Sequence, residues 1–352
     1  MKQEMYSIVK KFLRQLGGIR WYHLRHRKQA EAALKGLESV KGKTDPKLIE
    51  LSDEYARDVL GRSLYAPWLY VYSAVAGDFR EGWIPDNYYG IVVIPAIQGL
   101  YEELSPLKAS TSQLFQRNVF PDVAYYVNGL FLTKNCTAIN ESDVKDVLFR
   151  KGEVVVYKLE DSAQGKGIFF LDKNSFDTKK VQELGNGVFQ DHIDQHQFFK
   201  EYMPSSVATL RITTIVDDAG SASVRACYLR IGRSADTHVK SSSNIRISVD
   251  PKTGELDTLG YLTTWIPIDK HPDTDIAFAG KRIPKFNECI SLALELQRLI
   301  PFVRCVGWDV VVDRDNNVKV MEWNSGHNDI KFSEATQGPC FSNLGWQDLW
   351  QQ

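Results

Sequence analysis

Three residues in the C-terminal part of the chain carry hard oxygen atoms that could bind a divalent cation. Asp309 lies near the start, and Glu322 and Asn324 near the end, of the stretch GWDVVVDRDNNVKVMEWN. Side chains two positions apart in a strand point to the same face, so Glu322 and Asn324 are expected to lie together. Carboxylate and amide oxygens suit Mg²⁺, which proteins bind through a few oxygen ligands shared with substrate phosphates. The stretch therefore predicts a magnesium site.

The elements that position these residues are two strands joined by a tight turn. Valines and Trp323 alternate with polar residues on both sides of DRDNN, a pattern typical of a β-hairpin. A hairpin brings its open ends together, so Asp309 is expected to face Glu322 and Asn324. Because burying an uncompensated carboxylate is costly, a cation is the expected partner. Asp313 and Asp315, in the turn, are interpreted as solvated residues.

A second stretch, EVVVYKLEDSAQGKGIFFLD, places small residues between two strands. Glycines let backbone N–H groups approach phosphate oxygens closely, and Lys158 at the end of the first strand would add an ammonium group. The spacing differs from a Walker A loop, and a strand follows instead of a helix. Taken alone, an ordinary hairpin with a glycine turn is the preferred interpretation. The loop residues of interest are Ser162, Gln164, Gly165, Lys166 and Gly167.

Composition limits the class of protein. A chain of 352 residues with 43% apolar and 25% charged residues can bury a full core and is expected to form about two or three domains. We expect a cytoplasmic location, because no apolar run is long enough to cross a bilayer and the N-terminus lacks the apolar core of a signal peptide. The five cysteines are scattered and lack paired spacing, so reduced thiols are expected.

The first 35 residues have a distinct charge. They contain nine Lys or Arg against two Glu, a balance of +7, although the whole chain has a net charge of −1. Apolar residues recur at helical spacing from Ile8 to Leu16, and Trp21 and Tyr22 follow. Two interpretations stay open: a basic amphipathic helix lying on an anionic membrane surface, or a helix docked on the protein with a solvated basic face. Binding of nucleic acid is not expected, because no recognisable motif accompanies the charge.

The remaining patterns predict helices at residues 47–62 and 66–80 and a hairpin that turns at Asn128 and Gly129. Further strands are predicted from residues 187 and 208, followed by VRACYLRIGR and by the hairpin ISVDPKTGELDTLGY. Because these motifs follow one another in this order, residues 105–330 resemble the ATP-grasp superfamily. TLRITT, LRIGR and DPKTGEL resemble its sugar-transfer-associated branch, which is found with surface-polysaccharide synthesis.

The resemblance implies an α+β, ATP-grasp fold in which two α+β subdomains, a lid and a C-terminal domain, grip ATP after a mainly helical N-terminal region. The predicted segments are a basic amphipathic helical segment (1–45), an N-terminal region (46–115), a lid subdomain with the small-residue loop (116–189) and a C-terminal subdomain with the metal site (190–352).

The resemblance also implies residue roles. Arg211, Arg230 and Lys158 are the expected catalytic residues, although Arg211 could instead form a structural ion pair. Asp309, Glu322 and Asn324 would hold two Mg²⁺ ions. ATP would be bound by Lys108, Lys158, the loop residues Ser162, Gln164, Gly165, Lys166 and Gly167, Arg211, and, through the backbone at adenine, Gln190, Asp191, His192 and Ile193. Arg233, Lys240 and Arg246 join Arg230 as candidates for holding a substrate carboxylate. His327 and Asn328 either touch the acceptor or cap a turn.

The implied activity is that of an ATP-dependent carboxylate–amine ligase that acts through an acyl phosphate. Its expected substrates are a uronic-acid sugar of a cell-surface polysaccharide, or of its lipid-linked precursor, and an amino acid or small amine. One departure concerns the second substrate: relatives carry Asn followed by Gly-Gly where this chain has KSSSN. A kinase of a sugar-like hydroxyl and a non-catalytic nucleotide-binding regulator are the alternatives.

Overall fold

The computed structural model describes residues 2–160, 167–233 and 243–351, with side chains from residue 18 onward. The chain forms two compact units. The first contains Met1–Gly99, Thr264–Pro267 and Asp329–Gln352, and the second contains Leu100–Thr263 and Ile268–Asn328. The four segments drawn from the sequence stay a prediction.

Helices account for most of the first unit and flank the sheets of the second. Within the described residues they are α1 (Lys2–Lys41), α2 (Pro46–Asp58), α3 (Ala66–Ala76), α4 (Asp86–Tyr88), α5 (Ile94–Gln98), α6 (Thr111–Phe115), α7 (Val144–Leu148), α8 (Thr178–Leu184), α9 (Gln197–Tyr202), α10 (Phe286–Leu299) and α11 (Lys331–Gln337). The predicted helices at 47–62 and 66–80 correspond to α2 and α3. Helix α3 ends early because Gly77 adopts a left-handed conformation with φ 78°.

The first unit is built around α3, which packs against α1, α2 and α11. Helix α3 is apolar on nearly all sides, as expected of a helix with neighbours all around it. Helix α1 contributes Ala30, Ala33 and Leu37, which are buried at helical spacing. At Gly36, a Cβ atom would lie 1.9 Å from the carbonyl oxygen of Thr264, so a side chain is excluded there. From residue 18 onward, α1 is therefore docked on the protein.

Glu334 on α11 holds two segments of the first unit together. Its carboxylate accepts hydrogen bonds from the backbone N–H groups of Ile84 and Cys340, each at 2.7 Å. Burial raises the pKa of Glu334 to about 7, although these two hydrogen bonds oppose the shift.

The second unit contains two antiparallel sheets. Only Pro267, the first residue of the edge strand β10, belongs to the first unit. The strands are β1 (Asp122–Val127), β2 (Leu130–Thr133), β3 (Val154–Leu159), β4 (Ile168–Asp172), β5 (Gly187–Asp191), β6 (Thr209–Val216), β7 (Ala222–Ile231), β8 (Ile245–Val249), β9 (Leu256–Tyr261), β10 (Pro267–Ile268), β11 (Cys305–Val312) and β12 (Val318–Asn324). The five-stranded sheet has the order β2-β1-β5-β3-β4, and the seven-stranded sheet has the order β10-β9-β8-β7-β6-β11-β12.

The predicted hairpins at Asn128 and Gly129, at DRDNN and at ISVDPKTGELDTLGY are present. Strands β1 and β2 pair through Val127 and Leu130, and Asn128 and Gly129 have φ values of 51° and 86°. Positive φ at both turn positions is the geometry that matches strand twist in a two-residue hairpin. The second hairpin, β11 and β12, turns through the half-buried Asp313 and the exposed residues 314–317.

Each sheet has its own core. Helix α10 packs on the seven-stranded sheet, where Leu296, Trp308 and Val320 are fully buried. The five-stranded sheet encloses Tyr157 and Phe189. The two sheets with their helices, preceded by a helical N-terminal region, confirm the predicted α+β architecture.

Candidate functional site

The hairpin of β11 and β12 brings the predicted metal ligands together. Asp309 pairs with Glu322 and Gly307 pairs with Asn324 in the antiparallel register. A β-bulge follows, because Val310 pairs with Val320 and Met321 has no partner on β11. The extra residue lets Val320 and Trp323 both face the core although they are three positions apart.

The bulge also presents the Met321 carbonyl to the five-stranded sheet. Lys158 Nζ and Gln190 Nε2 each donate to this oxygen at 3.5 Å. Between the two sheets of the second unit lies a cleft with about 320 Å³ of open space. Burial lowers the pKa of the Lys158 ammonium, although the charges of Glu322 and Asp122 oppose the shift. Lys108, Asp122, Lys158, Gln190, Met321 and Glu322 are among the residues that line the cleft.

Lys108 reaches the same cleft from a single helical turn. Its Nζ lies 3.8 Å from Glu322 Oε1 and 3.5 Å from the Glu160 carbonyl oxygen. The Glu322 side chain is 42% exposed, whereas that of Lys108 is 12% exposed. Among the described residues, the side chains that line the cleft include the ammonium groups of Lys108 and Lys158 and the accessible carboxylate of Glu322.

Asp309 is the centre of a buried ion cluster. Arg211 donates from Nε to Oδ1 at 2.7 Å and from Nη2 to Oδ2 at 3.1 Å, and Arg230 Nη2 lies 2.5 Å from Oδ1. Burial by itself would raise the pKa of Asp309, but the charges and hydrogen bonds of the two arginines hold it at about 2. Arg211 therefore forms an ion pair with Asp309, and its contact with ATP stays a prediction.

Gly307 makes room for Arg211. A Cβ atom at Gly307 would lie 3.1 Å from Arg211 Nη1 and 3.0 Å from the Asn328 Cβ. Through this gap, Arg211 Nη1 donates to the Asn328 carbonyl at 2.7 Å. Asn328 thus has a structural contact with the cluster, while His327 is exposed.

The donor set is compatible with a magnesium ion. Glu322 offers an accessible carboxylate, and Asn324 uses its Nδ2 to donate to the Gly307 carbonyl at 3.1 Å, so its Oδ1 is the end left for a ligand. Asp309 differs, since both of its oxygens already accept from arginine. Its binding of a cation would require Arg211 or Arg230 to move.

Two further arginines, Arg233 and Arg246, are candidates for holding a substrate carboxylate. Arg246 on β8 pairs with Arg230 on β7 in the strand register. Arg233 donates to both oxygens of Asp273, at 2.8 and 2.7 Å, so its guanidinium is already engaged.

The residues predicted to contact adenine lie at the end of β5, which contains Gln190 and Asp191, and just after it. The Asp191 carboxylate pairs with Lys151 at 2.7 Å, and its N–H donates to the Pro121 carbonyl. Ile193 is buried and His192 is exposed. Gln195, a little further on, bridges to Asp313, so residues 192–194 connect the two sheets. Their contact with adenine stays a prediction.

Part of the predicted site lies outside the described residues, namely Ser162, Gln164, Gly165, Lys166 and Lys240. Gly167 is described and has φ 74°. Its carbonyl accepts from the Leu159 N–H at 3.0 Å, so the two ends of the loop lie close together.

The sequence did not indicate the buried carboxylate of Asp122. It accepts from Gln190, Ser112 and Tyr125 at 2.8, 3.1 and 3.0 Å. A single Asp at the start of a strand has no distinctive spacing, and the β-bulge at Met321 likewise has no turn residue to mark it. Only the broken alternation between Val320 and Trp323 could have revealed the bulge.

One family of known proteins matches the C-terminal part of the chain. Residues 178–344 match the model of a family described as sugar-transfer associated ATP-grasp. The match begins after Lys108 and Lys158. A search of curated proteins found no match. Among the described residues, no helix combines the length and the apolar character needed to span a bilayer.

Similar solved structures include biotin carboxylase from Campylobacter jejuni in complex with β,γ-ATP, at 13% identity and a TM-score of 0.46, covering 91% of this chain and 67% of that one. The biotin carboxylase domain of Hydrogenobacter thermophilus 2-oxoglutarate carboxylase, crystallised with MgADP and bicarbonate, has 12% identity and a TM-score of 0.44, covering 70% and 45%. The ATP-grasp ligase PsnB has 13% identity and a TM-score of 0.42, covering 85% and 75%. This chain thus spans less than half the length of the Hydrogenobacter protein.

The family match includes the entire β11 and β12 hairpin and the strand that carries Arg211. The part of the chain that is similar to the sugar-transfer associated ATP-grasp family is residues 178–344.

Proposed function

We propose that the chain is an ATP-dependent carboxylate–amine ligase that forms a carbon–nitrogen bond through an acyl phosphate. The observation that carries the proposal is the cleft in which Lys108, Lys158 and Glu322 meet. Two ammonium groups suit the charge of a polyphosphate, and an accessible carboxylate suits the cation that accompanies it. The family match over residues 178–344 supports the same nucleotide.

In the proposed reaction, an oxygen of the substrate carboxylate bonds to the γ-phosphorus while the bond from that phosphorus to the β–γ bridging oxygen breaks, which releases ADP. The amine nitrogen then bonds to the acyl carbon, the bond to phosphate breaks, and the amine loses a proton. Lys108 and Lys158 bind the phosphates. Arg211 and Arg230, which contact Asp309 in the structure, stabilise the negative charge that develops during both steps.

Glu322 and Asn324 would hold Mg²⁺, and Asp309 would become a further ligand once an arginine has moved away from it. We propose that two ions bind. Magnesium bound there would neutralise part of the negative charge of the phosphates.

The proposed carboxylate substrate is a uronic-acid sugar of a cell-surface polysaccharide or of its lipid-linked precursor, and the proposed amine is an amino acid or another small amine. The family description supports a sugar. Arg230 and Arg246, which are neighbours on β7 and β8, are suited to binding the carboxylate. Arg233 is a further candidate, and it would have to separate from Asp273 as Arg230 would from Asp309.

To test this proposal, the full chain is incubated with Mg-ATP and a panel of uronic acids and amines. ADP release and the mass of the product are then measured. A ligase yields an amide and free phosphate. Phosphate attached to the product would instead identify a kinase, and ATP binding without turnover a regulator. Glu322→Gln should abolish turnover, whereas Asp315→Asn, in the exposed turn of the same hairpin, should leave it unchanged. Retained turnover in Glu322→Gln would refute the role of this carboxylate.

We also propose that residues 1–35 contact the inner face of the cell membrane. Trp21 is 61% and Leu24 48% exposed on α1, and the Arg25 guanidinium lies 5.1 Å from the Trp21 ring centroid. Exposed aromatic and basic side chains on one helix suit an anionic bilayer surface. Because Ala30 and Leu37 anchor the helix, point variants are better than truncation. Trp21→Ser combined with Arg25→Glu should reduce sedimentation with phosphatidylserine vesicles, and unchanged sedimentation would refute the contact.

A further inference from the structure

Two serines join the segment that precedes Lys108 to the end of β12. The Ser105 N–H donates to Ser325 Oγ at 3.2 Å, and the Ser325 N–H donates to Ser105 Oγ at 3.0 Å. The two hydroxyl oxygens are 2.9 Å apart, and the Ser325 hydroxyl donates to the Glu102 carbonyl oxygen at 2.7 Å. Each serine thus contacts both the backbone and the side chain of the other, and we call Ser105 and Ser325 the serine pair.

The protein encloses the serine pair on the side of Ser325. Ser325 is 0% exposed, whereas Ser105 is half-buried and lines the cleft. Removing a buried hydroxyl that pairs with a backbone N–H and a backbone carbonyl is costly, because both backbone groups lose their partner. Ser325→Ala would therefore loosen the attachment of residues 102–105 to β12.

The serine pair lies between Lys108 and the predicted cation ligands in the chain. One serine directly follows Asn324, and the other is three residues before Lys108. Lys108 belongs to a single helical turn, Lys108–Ser110, and to neither sheet, so strand pairing does not hold it in place. Its Nζ nevertheless lies 3.8 Å from Glu322 Oε1. The serine pair is a contact that can maintain this short distance.

A second contact attaches the other end of the same segment. Trp323 on β12 donates from Nε1 to Thr111 Oγ1 at 3.2 Å, and both residues are buried. Lys108 is midway between Ser105 and Thr111 in the chain. Because both ends of the segment are attached to one strand, the turn that carries Lys108 has little freedom. Loss of one attachment would let the ammonium group move away from Glu322.

We propose that Ser325 is a positioning residue for nucleotide binding: through Ser105, it holds Lys108 where the ammonium group and the cation ligands of β12 contact the same phosphates. The attraction between two charges weakens as their distance increases, so a displaced ammonium group binds phosphate less strongly. A lysine that is already held in place also loses less conformational entropy when the phosphates bind. The inference rests on the proposed ATP-dependent function and adds a residue that acts through another.

The experiment is a double-mutant cycle that measures dissociation constants of the full chain for Mg-ATP by titration calorimetry. Lys108→Met should weaken binding about 10- to 100-fold, because hydrogen bonds to charged groups are the stronger ones, and Ser325→Ala about 3- to 10-fold. In the Lys108→Met background, Ser325→Ala should change the dissociation constant less than about twofold, because the group that it positions is absent. A merely structural Ser325 would have the same effect in both backgrounds.

Thr214→Val is the matched control. Thr214 is also 0% exposed, and its hydroxyl contacts Gln297 and Trp308, neither of which lines the cleft. The substitution should lower the free energy of unfolding and change the dissociation constant for Mg-ATP less than about twofold. Ser105→Ala, at the half-buried member of the serine pair, should reproduce the effect of Ser325→Ala and takes its place in the cycle if that variant does not fold.

Equal fold-changes on Ser325→Ala in the two backgrounds, or unchanged binding in both serine variants, would overturn the inference, while binding of Mg-ATP by the wild-type chain would still support the proposed function. Unchanged binding in Lys108→Met would overturn the inference as well. Failure of the wild-type chain to bind Mg-ATP would overturn both the inference and the proposed function.

Discussion

Replacing Asp309 with Asn should destabilise the second unit by a predictable amount. The substitution leaves Arg211 and Arg230 buried with an amide in place of their shared carboxylate. The displacement of the Asp309 pKa from its ordinary value of 3.8 to about 2 corresponds to roughly 2 kcal/mol. Removing one partner of a buried ion pair commonly lowers the free energy of unfolding by about 3–5 kcal/mol. We therefore expect a loss of about 2–5 kcal/mol near neutral pH.

The assay is urea-induced unfolding followed by tryptophan fluorescence, repeated from about pH 7 to about pH 2. Because the folded-state pKa of Asp309 is lowered, the carboxylate stabilises the fold fully above its ordinary pKa, and this stabilisation is lost as the pH falls through about 2. The difference between wild type and Asp309→Asn should thus be constant down to about pH 4 and should shrink below it.

Asp315→Asn, an exposed change in the turn of the same hairpin, is the control and should alter stability by less than about 0.5 kcal/mol at every pH. If Asp309→Asn behaved like this control near neutral pH, or if its effect did not depend on pH, the buried ion cluster would not have the energetic role assigned to it.

The remaining predictions concern the first unit and the thiols. Gly36→Ala should destabilise by at least about 1–3 kcal/mol in thermal melting, because its Cβ would lie 1.9 Å from the Thr264 carbonyl oxygen, whereas Gly18→Ala in the same helix has no atom within 4 Å of its Cβ and should stabilise by up to about 1 kcal/mol. Burial raises the pKa of Glu334 to about 7, so the free energy of unfolding of the wild-type chain should fall as the pH rises from about 4.5 to about 7. Glu334→Gln should lack this pH dependence. It should also be less stable than the wild type near pH 4.5, because its amide N–H faces a backbone donor. The native chain should react rapidly with Ellman's reagent at Cys136 alone, and at all five cysteines after denaturation; a second fast thiol would contradict the burial of the other four.

Local patterns were sufficient to predict the hairpins. Asn128 and Gly129 favour positive φ, and the alternation of valines around DRDNN specifies two strands and a turn, so both hairpins follow from short-range chemistry. The convergence of Asp309, Glu322 and Asn324 on one hairpin follows from the same reasoning, because antiparallel pairing is a local constraint. Whether they bind magnesium stays a prediction.

Side-chain partners could not be predicted in this way. Asp309 and Arg211 are 98 residues apart in the chain, and their hydrogen bonds exist because β6 and β11 are neighbours in the seven-stranded sheet. The contact through which Arg211 reaches Asn328 further requires the absence of a side chain at Gly307. Strand order and the space between strands are properties of the whole sheet.

The sequence by itself determined the strands, the turns, the basic character of the N-terminal helix and the residue types available for binding a cation and phosphates. These follow from backbone preferences, side-chain alternation and charge, which act over a few neighbouring residues. The tertiary structure alone decided that Asp309 is enclosed by two arginines, that the bulge at Met321 presents a carbonyl to Lys158, and that Asp122 orients Gln190. Those contacts join segments distant in the chain, and burial then sets the strength of their electrostatic interactions.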